Sequence, residues 1–407
     1  MNNKQFWIGM VTGGVIALVV SFLGFFVLGA GGKGSIGPGS YNGGGSNPSS
    51  DYSQVTEKME LLEDYIDSYY LFTDRYEDGD LAEGAYKGMF ESLNDIYSVY
   101  YTVDEYASLM ESSSGAYSGI GCYVQLDTQT GDIVLIKPMK NSPSEKAGIH
   151  PGDILIAVDG ESVVGWDLDK VVALIKGEQG TSVVLTITRE GEENPIDISV
   201  TRDHIEVETI EYEMLEDKIG YVKIVEFDQV TEGQFDAAVT DLESQGMEKL
   251  IVDVRDNPGG DLDCVLGILD RLLPKGELLR IVDKYGYEEE YDSDSKQFVQ
   301  VPIAVLVNEN SASASEVFSG AMKDRGAATI VGTNTFGKGI VQTIFSLRDG
   351  SGIKITTAEF FTPSGNTIHG VGISPDVEVA LDESLVGLTE IPHEQDNQLQ
   401  KAIEVLK

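Results

Sequence analysis

The sequence predicts an α/β multidomain protein behind an apolar N-terminal helix, and three observations carry that prediction. Between about His204 and Asp382, apolar β runs alternate with stretches that can be helical, the pattern of a mostly parallel sheet covered by helices. Between about Gly115 and Arg202, short β-rich runs are separated by turns. From Phe6 to Gly29 there is no charged residue, and at ~1.5 Å per residue such a stretch reaches ~36 Å as a helix, enough for a hydrocarbon core.

The N-terminal run is long for the apolar part of a cleaved signal peptide, and Leu28-Gly29-Ala30-Gly31-Gly32 offers no clean small-residue cleavage site. Residues 1–30 are therefore expected to be a cytoplasmic tip and an uncleaved single-pass signal anchor in the cell membrane. Lys4 on the short side favours a cytoplasmic N-terminus, with everything beyond the span outside. Residues 31–52 are rich in Gly, Ser, Pro and Asn and read as a flexible tether.

Residues 53–112 carry a helical pattern, with Met59, Leu61, Leu62, Tyr65 and Ile66, then Leu81, Ala85, Met89 and Leu93 at steps of three and four. Such a stripe is packing surface, against the body of the protein or against a second copy. Residues 113–203 hold β runs at Ile133–Ile136, Ile154–Val158, Val183–Thr188 and Ile196–Val200. The core at 204–385 has runs at 219–224, 250–254, 303–307 and 329–331, with helical stretches at 233–244 and 263–273 between them. A short helical region at 386–407 completes the chain; together with the 53–112 stripe it is expected to support a homodimer.

The 407 residues leave room for two or three domains, and 41% hydrophobic composition supplies their cores. With 68 acidic against 28 basic residues, the net charge of -40 repels phosphate backbones and anionic lipid surfaces, which excludes general nucleic-acid binding. Cys122 and Cys264 each lie in an apolar run and read as buried free thiols. His150, His204, His369 and His393 lack ligand spacing, so no metal site and no cofactor are expected.

Gly332-Thr333-Asn334-Thr335-Phe336-Gly337-Lys338 begins like a phosphate-binding loop, but Gly339 stands where that chemistry needs Ser or Thr. The residues from Ile340 to Phe345 read as strand rather than the required helix. Lys338 therefore needs another role. Upstream, Ser311-Ala312-Ser313-Ala314-Ser315-Glu316 follows a buried strand at the start of a helix, where helix amides favour a developing negative charge. Ser313 with Glu316 also fits a capping box that would merely close the helix end.

Ser311 to Glu316, followed by Thr335-Phe336-Gly337-Lys338-Gly339-Ile340-Val341-Gln342, resembles the active-site signature of the carboxyl-terminal processing peptidases, the tail-specific serine proteases. Asn94 to Thr102, Asp253 to Gly260, Phe361 to Gly365 and His369 to Asp376 resemble further parts of that family's pattern, in order, over roughly residues 56–407. Ser142 to Leu155 with Val158-Asp159-Gly160 resembles the PDZ domain of bacterial proteases. The resemblance implies a core of the crotonase/ClpP type and a serine endopeptidase that needs no metal. The family's spacing of twenty-five positions between nucleophile and lysine selects Ser313 and Lys338.

In that reading Lys338, kept neutral by desolvation, takes the proton of Ser313, and Gln342 holds the amine by hydrogen bonding. The resemblance places the oxyanion between the amide of Ala314 and one from Gly259 or Gly260. Gly119-Ile120-Gly121-Cys122 is the candidate loop for a substrate's terminal carboxylate, so the expected partners are proteins with accessible C-termini. Lys176 departs from the arginine that relatives often carry; it either couples peptide binding to the catalytic site or simply ends a helix. A histidine base at His204 or His369 competes as an enzyme reading, although the chain has no G-x-S-x-G elbow. An inactive scaffold that only binds C-termini is the alternative of a different class.

Overall fold

The computed structural model describes residues 52–72, 79–128, 130–294, 298–388 and 391–407. The expected membrane helix and nearly all of the tether lie outside the described residues. Within them, no helix is long and apolar enough to cross a membrane.

Two helices, Tyr52–Tyr69 and Asp80–Glu91, open the described chain, and Tyr52, assigned to the tether from sequence, already belongs to the first. The stripe of the first helix is largely exposed, whereas the second helix packs Tyr86 and Phe90 against Tyr100. Met59, Leu62, Tyr65, Met89 and Leu93 are exposed, and no residue of the second helix is buried. A capping box at Thr102 starts the next helix, Val103–Ser114, and Gly115 in the left-handed region ends it.

Strands Ala116–Gly119 and Asp203–Glu206 then pair antiparallel and form a strap at the entrance and exit of the β-rich module. Inside the strap, Cys122–Leu126, Ile133–Pro138, Asp153–Val158, Ser182–Thr188 and Ile196–Thr201 make an antiparallel sheet with Glu161–Ser162 on the side. It closes over its own core of Leu135, Leu155, Val171, Val183 and Leu185. Cys122–Leu126 is the terminal strand of this sheet, which leaves one edge for strand addition.

The core sheet runs in the order 210–215, 219–224, 249–253, 303–307, 328–332 and 377–378, parallel throughout except for the first pair. Ile303–Val307 is buried along its whole length, as expected of a central parallel strand covered on both faces. Helices 231–244, 262–272 and 314–324 bury Phe235, Leu269 and Phe318 against one face. Helix Asn397–Val405 buries Leu399 and Ala402 against the other. The apolar side of the C-terminal run is thus engaged within its own chain and is not free for a second copy, because it covers a sheet face that would otherwise be wet. Arg255 pins that helix through Asp253 at 2.6 Å and Asp396 at 2.8 Å.

A second, antiparallel sheet crosses the end of the first. Gly352–Phe361 pairs with Ile340–Ser346, with Gly276–Asp283 and, from far away in sequence, with Val99–Tyr101. This pairing places the segment before the PDZ-like module against Gly352–Phe361, one strand removed from the strand that follows Lys338.

Candidate active site

Ser311, Ser313 and Ser315 are all fully buried, so exposure cannot tell them apart. Their hydroxyls can. Ser311 Oγ donates to the Val254 carbonyl at 2.7 Å, and Ser315 Oγ donates to the Asn257 carbonyl at 2.9 Å. Ser313 Oγ has no hydrogen-bond partner among the described residues. Ser313 sits at the N-cap of helix Ala314–Asp324 with φ 55° and ψ −113°, a strained conformation for a residue with a side chain. Only the glutamate's half of the capping box forms: Ser313 N–H donates to Glu316 Oε2 at 2.9 Å, and the serine hydroxyl is not used as a cap.

Glu316 is the hub that joins this turn to Lys338. The same Oε2 accepts the Lys338 N–H at 2.7 Å, so the main-chain nitrogens of Ser313 and Lys338 lie within two hydrogen-bond lengths of each other. Oε1 accepts from Gly337 N–H at 2.7 Å and Thr335 Oγ1 at 2.6 Å. Burial raises the Glu316 pKa even though these donors favour its ionised form.

Lys338 is 2% exposed. Desolvation lowers its pKa to about 8, against the opposing pull of Glu316 and Asp95. Its Nζ lies 4.6 Å from the centre of the Tyr97 ring. Gln342 is also fully buried, yet its amide nitrogen makes only long contacts, to the Ile340 carbonyl at 3.4 Å and Thr356 Oγ1 at 3.5 Å. Its Oε1 accepts no hydrogen bond among the described residues. The expected grip of Gln342 on the lysine amine is therefore not made here; a bulge between Val341 and Gln342 changes the pairing just before that side chain.

The Asp256-to-Gly260 segment is stitched to the serine turn. Ala312 N–H donates to the Asn257 carbonyl at 3.1 Å, and Phe227 and Gly260 form a bridge behind it. Gly259 has φ +109°, and a Cβ on it would lie 2.8 Å from Ser313 Cβ and 2.9 Å from the Ala314 nitrogen. The absent side chain leaves open the space beside the nucleophile where an oxyanion would form. Gly259 N–H is already bound by Asn257 Oδ1 at 2.8 Å. Among the described residues, the amides of Gly260 and Ala314 make no hydrogen bond.

In the PDZ-like module, Gly119 ends the strap and Ile120 is buried. Gly121, at φ +68°, leaves room that Ser142 Cβ would otherwise contest at 2.6 Å. Ser144 Oγ anchors the loop by donating to the Gly121 carbonyl at 2.5 Å. Burial pushes the Cys122 thiol up to about 12, and Cys264 is likewise a buried free thiol. Lys176 follows helix Leu168–Ile175 and pairs with Glu111, its amine 5.1 Å from the centre of the Tyr117 ring. Arg202 binds the last carbonyls of that helix, Leu174 and Ile175, so Lys176 points away from capping and toward a cavity of about 230 Å³ that Asp228 and Gly260 also line. His204 is on the strap and His369 is exposed; neither bonds Ser313.

Comparison with known proteins follows this geometry. The profile of peptidase family S41 matches residues 218–379 and that of the PDZ domain residues 136–189. The carboxy-terminal processing protease CtpA of Bacillus subtilis (strain 168) is 36% identical over 381 residues, covering 93% of this chain and 78% of the relative. This chain belongs to peptidase family S41.

Probable CtpA-like serine proteases of Staphylococcus haemolyticus and Staphylococcus epidermidis are 41% and 43% identical, each over 74% of this S41 chain. The matched region spans only 60% and 61% of those relatives. A solved photosystem II D1 C-terminal processing protease is 31% identical, covers 79% of this chain and 86% of its own, and has a TM-score of 0.47.

Sequence reasoning missed several residues of this S41 site. Glu316 was read only as half of a cap. Tyr97, Asp95, Thr356 and Lys354 reach the site through the pairing of 99–101 with 352–361. The available signal was the Asn94-to-Thr102 motif, but no local pattern says what that motif touches.

Proposed function

We propose that this S41 peptidase is a serine endopeptidase in which Ser313 is the nucleophile and Lys338 the general base. One observation carries the reading: the main chain of Ser313, whose buried hydroxyl has no hydrogen-bond partner among the described residues, shares the Glu316 carboxylate with the main chain of a desolvated lysine whose pKa falls to about 8. At neutral pH roughly a tenth of such lysines are neutral, about two orders of magnitude more than at the ordinary pKa of ~10.4.

In the reaction Lys338 Nζ takes the Ser313 hydroxyl proton as Oγ bonds the scissile carbonyl carbon. The amides of Ala314 and Gly260 receive the oxyanion, Gly259 N–H being engaged by Asn257. The protonated lysine then delivers its proton to the leaving amine as the C–N bond breaks, and water hydrolyses the acyl-enzyme. Gln342, whose Oε1 is a buried acceptor without a partner among the described residues, takes up the amine between these transfers in this reading. Substrates are proteins whose C-terminal tails add to the edge strand Cys122–Leu126, with the terminal carboxylate at Gly119 to Cys122.

The same proposal holds the chain at the cell membrane by the charge-free run at 6–29, with its catalytic part extracytoplasmic. It also assigns the exposed stripe of 52–69 to a second copy; a monomeric mass for the full chain by light scattering in detergent would remove that assignment. The test of the chemistry is cleavage of an unfolded protein by the full-length chain and by Ser313→Ala and Lys338→Ala. Loss of at least about 10³-fold in both variants is expected; equal cleavage by all three removes the dyad. No cleavage by any of them would favour the inactive scaffold.

A further inference from the structure

The cavity of about 230 Å³ between the PDZ-like module and the core holds acids for which the dyad chemistry has no use. Glu226 and Asp228 stand on its wall on either side of Phe227, whose ring is fully buried in the core. Extended backbone alternates its side chains, so a core-facing Phe227 sends both carboxylates to the opposite face. The segment is tied to the oxyanion loop: Phe227 N–H donates to the Gly259 carbonyl at 2.9 Å, and the Phe227 carbonyl accepts from Asp261 N–H at 2.6 Å. Gly260, an oxyanion donor in the reading above, lines the same cavity.

Asp228 is 8% exposed, and among the described residues its carboxylate has no hydrogen-bond or ion-pair partner; its own N–H donates to Thr231 Oγ1. The Glu226 carboxylate has none either. A Cβ on Gly115, another wall residue, would lie 3.2 Å from Asp228 Oδ2, so the missing side chain keeps open the space that this carboxylate faces. Lys176 is the one cation on the wall among the described residues, and it pairs with Glu111. Asp261 Oδ1 accepts from Cys264 N–H at 2.8 Å and is occupied as a helix cap.

Two carboxylates withdrawn from water without a counter-charge are costly, and a cation beside them offsets that cost. The other walls indicate what carries the cation. Ala116, Tyr117 and Val207 offer apolar surface for an alkyl stem. Among the described residues no three His, Cys, Asp or Glu side chains come together as metal ligands, so the match is an amine or guanidinium on a stem rather than a bare ion.

We propose that this cavity is a substrate subsite: it takes the Lys or Arg side chain of a residue close to the scissile bond, with Asp228 and Glu226 as its specificity-determining residues. This rests on the Ser313/Lys338 reading above, which puts the scissile carbonyl at Gly260. The subsite adds selection at the cut to the selection of C-terminal tails by the PDZ-like module.

The test is digestion of an unfolded protein by the full-length chain at pH 8, where both carboxyls, raised to about 7, are ionised and a substrate lysine at ~10.4 is charged. Mass spectrometry of the products should show Lys or Arg enriched at one fixed position within three residues of the cuts. In a peptide built on such a site, Met in place of that Lys should lower kcat/KM about 10- to 100-fold, the range of a hydrogen bond to a charged group. Asp228→Asn should bring the Lys-to-Met ratio down to about threefold or less, and Glu226→Gln should lower it as well. The ratio compares two peptides on one protein, so an impaired variant still reads out; if Asp228→Asn does not fold, Glu226→Gln and the map of cuts decide. No fixed enrichment, or a ratio unmoved by the substitutions, overturns the subsite. Ser313→Ala separates the two failures. If it cleaves like the unmodified protein, or the unmodified protein does not cleave, the dyad falls and the subsite with it; if Ser313→Ala alone is inactive and the cuts show no cationic preference, only the subsite falls.

Discussion

Lys338 holds its place against its own preference for water. Its folded pKa lies below the unfolded value, so the unfolded chain binds more protons between about 8 and about 10.4 and stability rises with pH across that window. Below it the buried charge costs about 3 kcal/mol, from roughly 1.36 kcal/mol per unit. Lys338→Met is therefore expected to raise stability at pH 7 by up to that amount while abolishing cleavage, and the gain should vanish near pH 10. Chemical denaturation at the two pH values measures it. Glu316 acts at the same scale by holding the amides of Ser313, Gly337 and Lys338. Glu316→Gln cannot hold all of these donors, and a shift of about an ångström between nucleophile and base lowers kcat by roughly 10²-fold. A kcat unchanged in a folded Glu316→Gln protein would show that the hub does not set the geometry.

At the scale of the element, the serine turn and the glycine loop behave as one unit because strand Ile303–Val307 and strand Lys249–Asp253 are parallel neighbours that release their chains at the same edge. Ligand sites of open α/β sheets form at this carboxyl edge. Gly259→Ala would force a methyl group to within 2.8 Å of Ser313 Cβ at φ +109°. It should lower kcat by roughly 10² to 10³-fold, the scale of a lost oxyanion donor, with KM changed far less. Comparable losses in kcat and KM would point to a disturbed substrate groove instead. The strands themselves were legible, since runs of Val, Ile and Leu mark them in sequence. The pairing of Val99–Tyr101 with the strand that carries Lys354 was not, because the two lie about 250 residues apart in sequence.

At the scale of the whole molecule, the cavity between the PDZ-like module and the protease core gathers acids. Burial raises Glu226 to about 7, burial and then the charges of Glu226 and Asp261 raise Asp228 to about 7, and burial raises Asp261 to about 6. Carboxyls with a raised folded pKa contribute stability that is present below the unfolded value and lost as pH rises through about 7. The junction should therefore loosen between about pH 4 and 7, and Asp228→Asn should flatten that dependence, as limited proteolysis across the range would reveal. Lys176 bridges the same junction through Glu111. Lys176→Ala should reduce cleavage of a tailed protein more than cleavage of a short peptide; equal reductions would remove its coupling role.

The sequence by itself marked the parallel strands of the core and the main strands of the PDZ-like module, because hydrophobic period and turn chemistry are local, and its ordered motifs marked Ser313 and Lys338 as candidates. Only the tertiary structure decided which of three buried serines keeps an unengaged hydroxyl, that Glu316 joins the two loops, and that Asp95, Tyr97 and Lys354 stand around the lysine. Those relations arise from long-range strand pairing and desolvation. Both depend on what surrounds a residue in space, which its neighbours in sequence do not record.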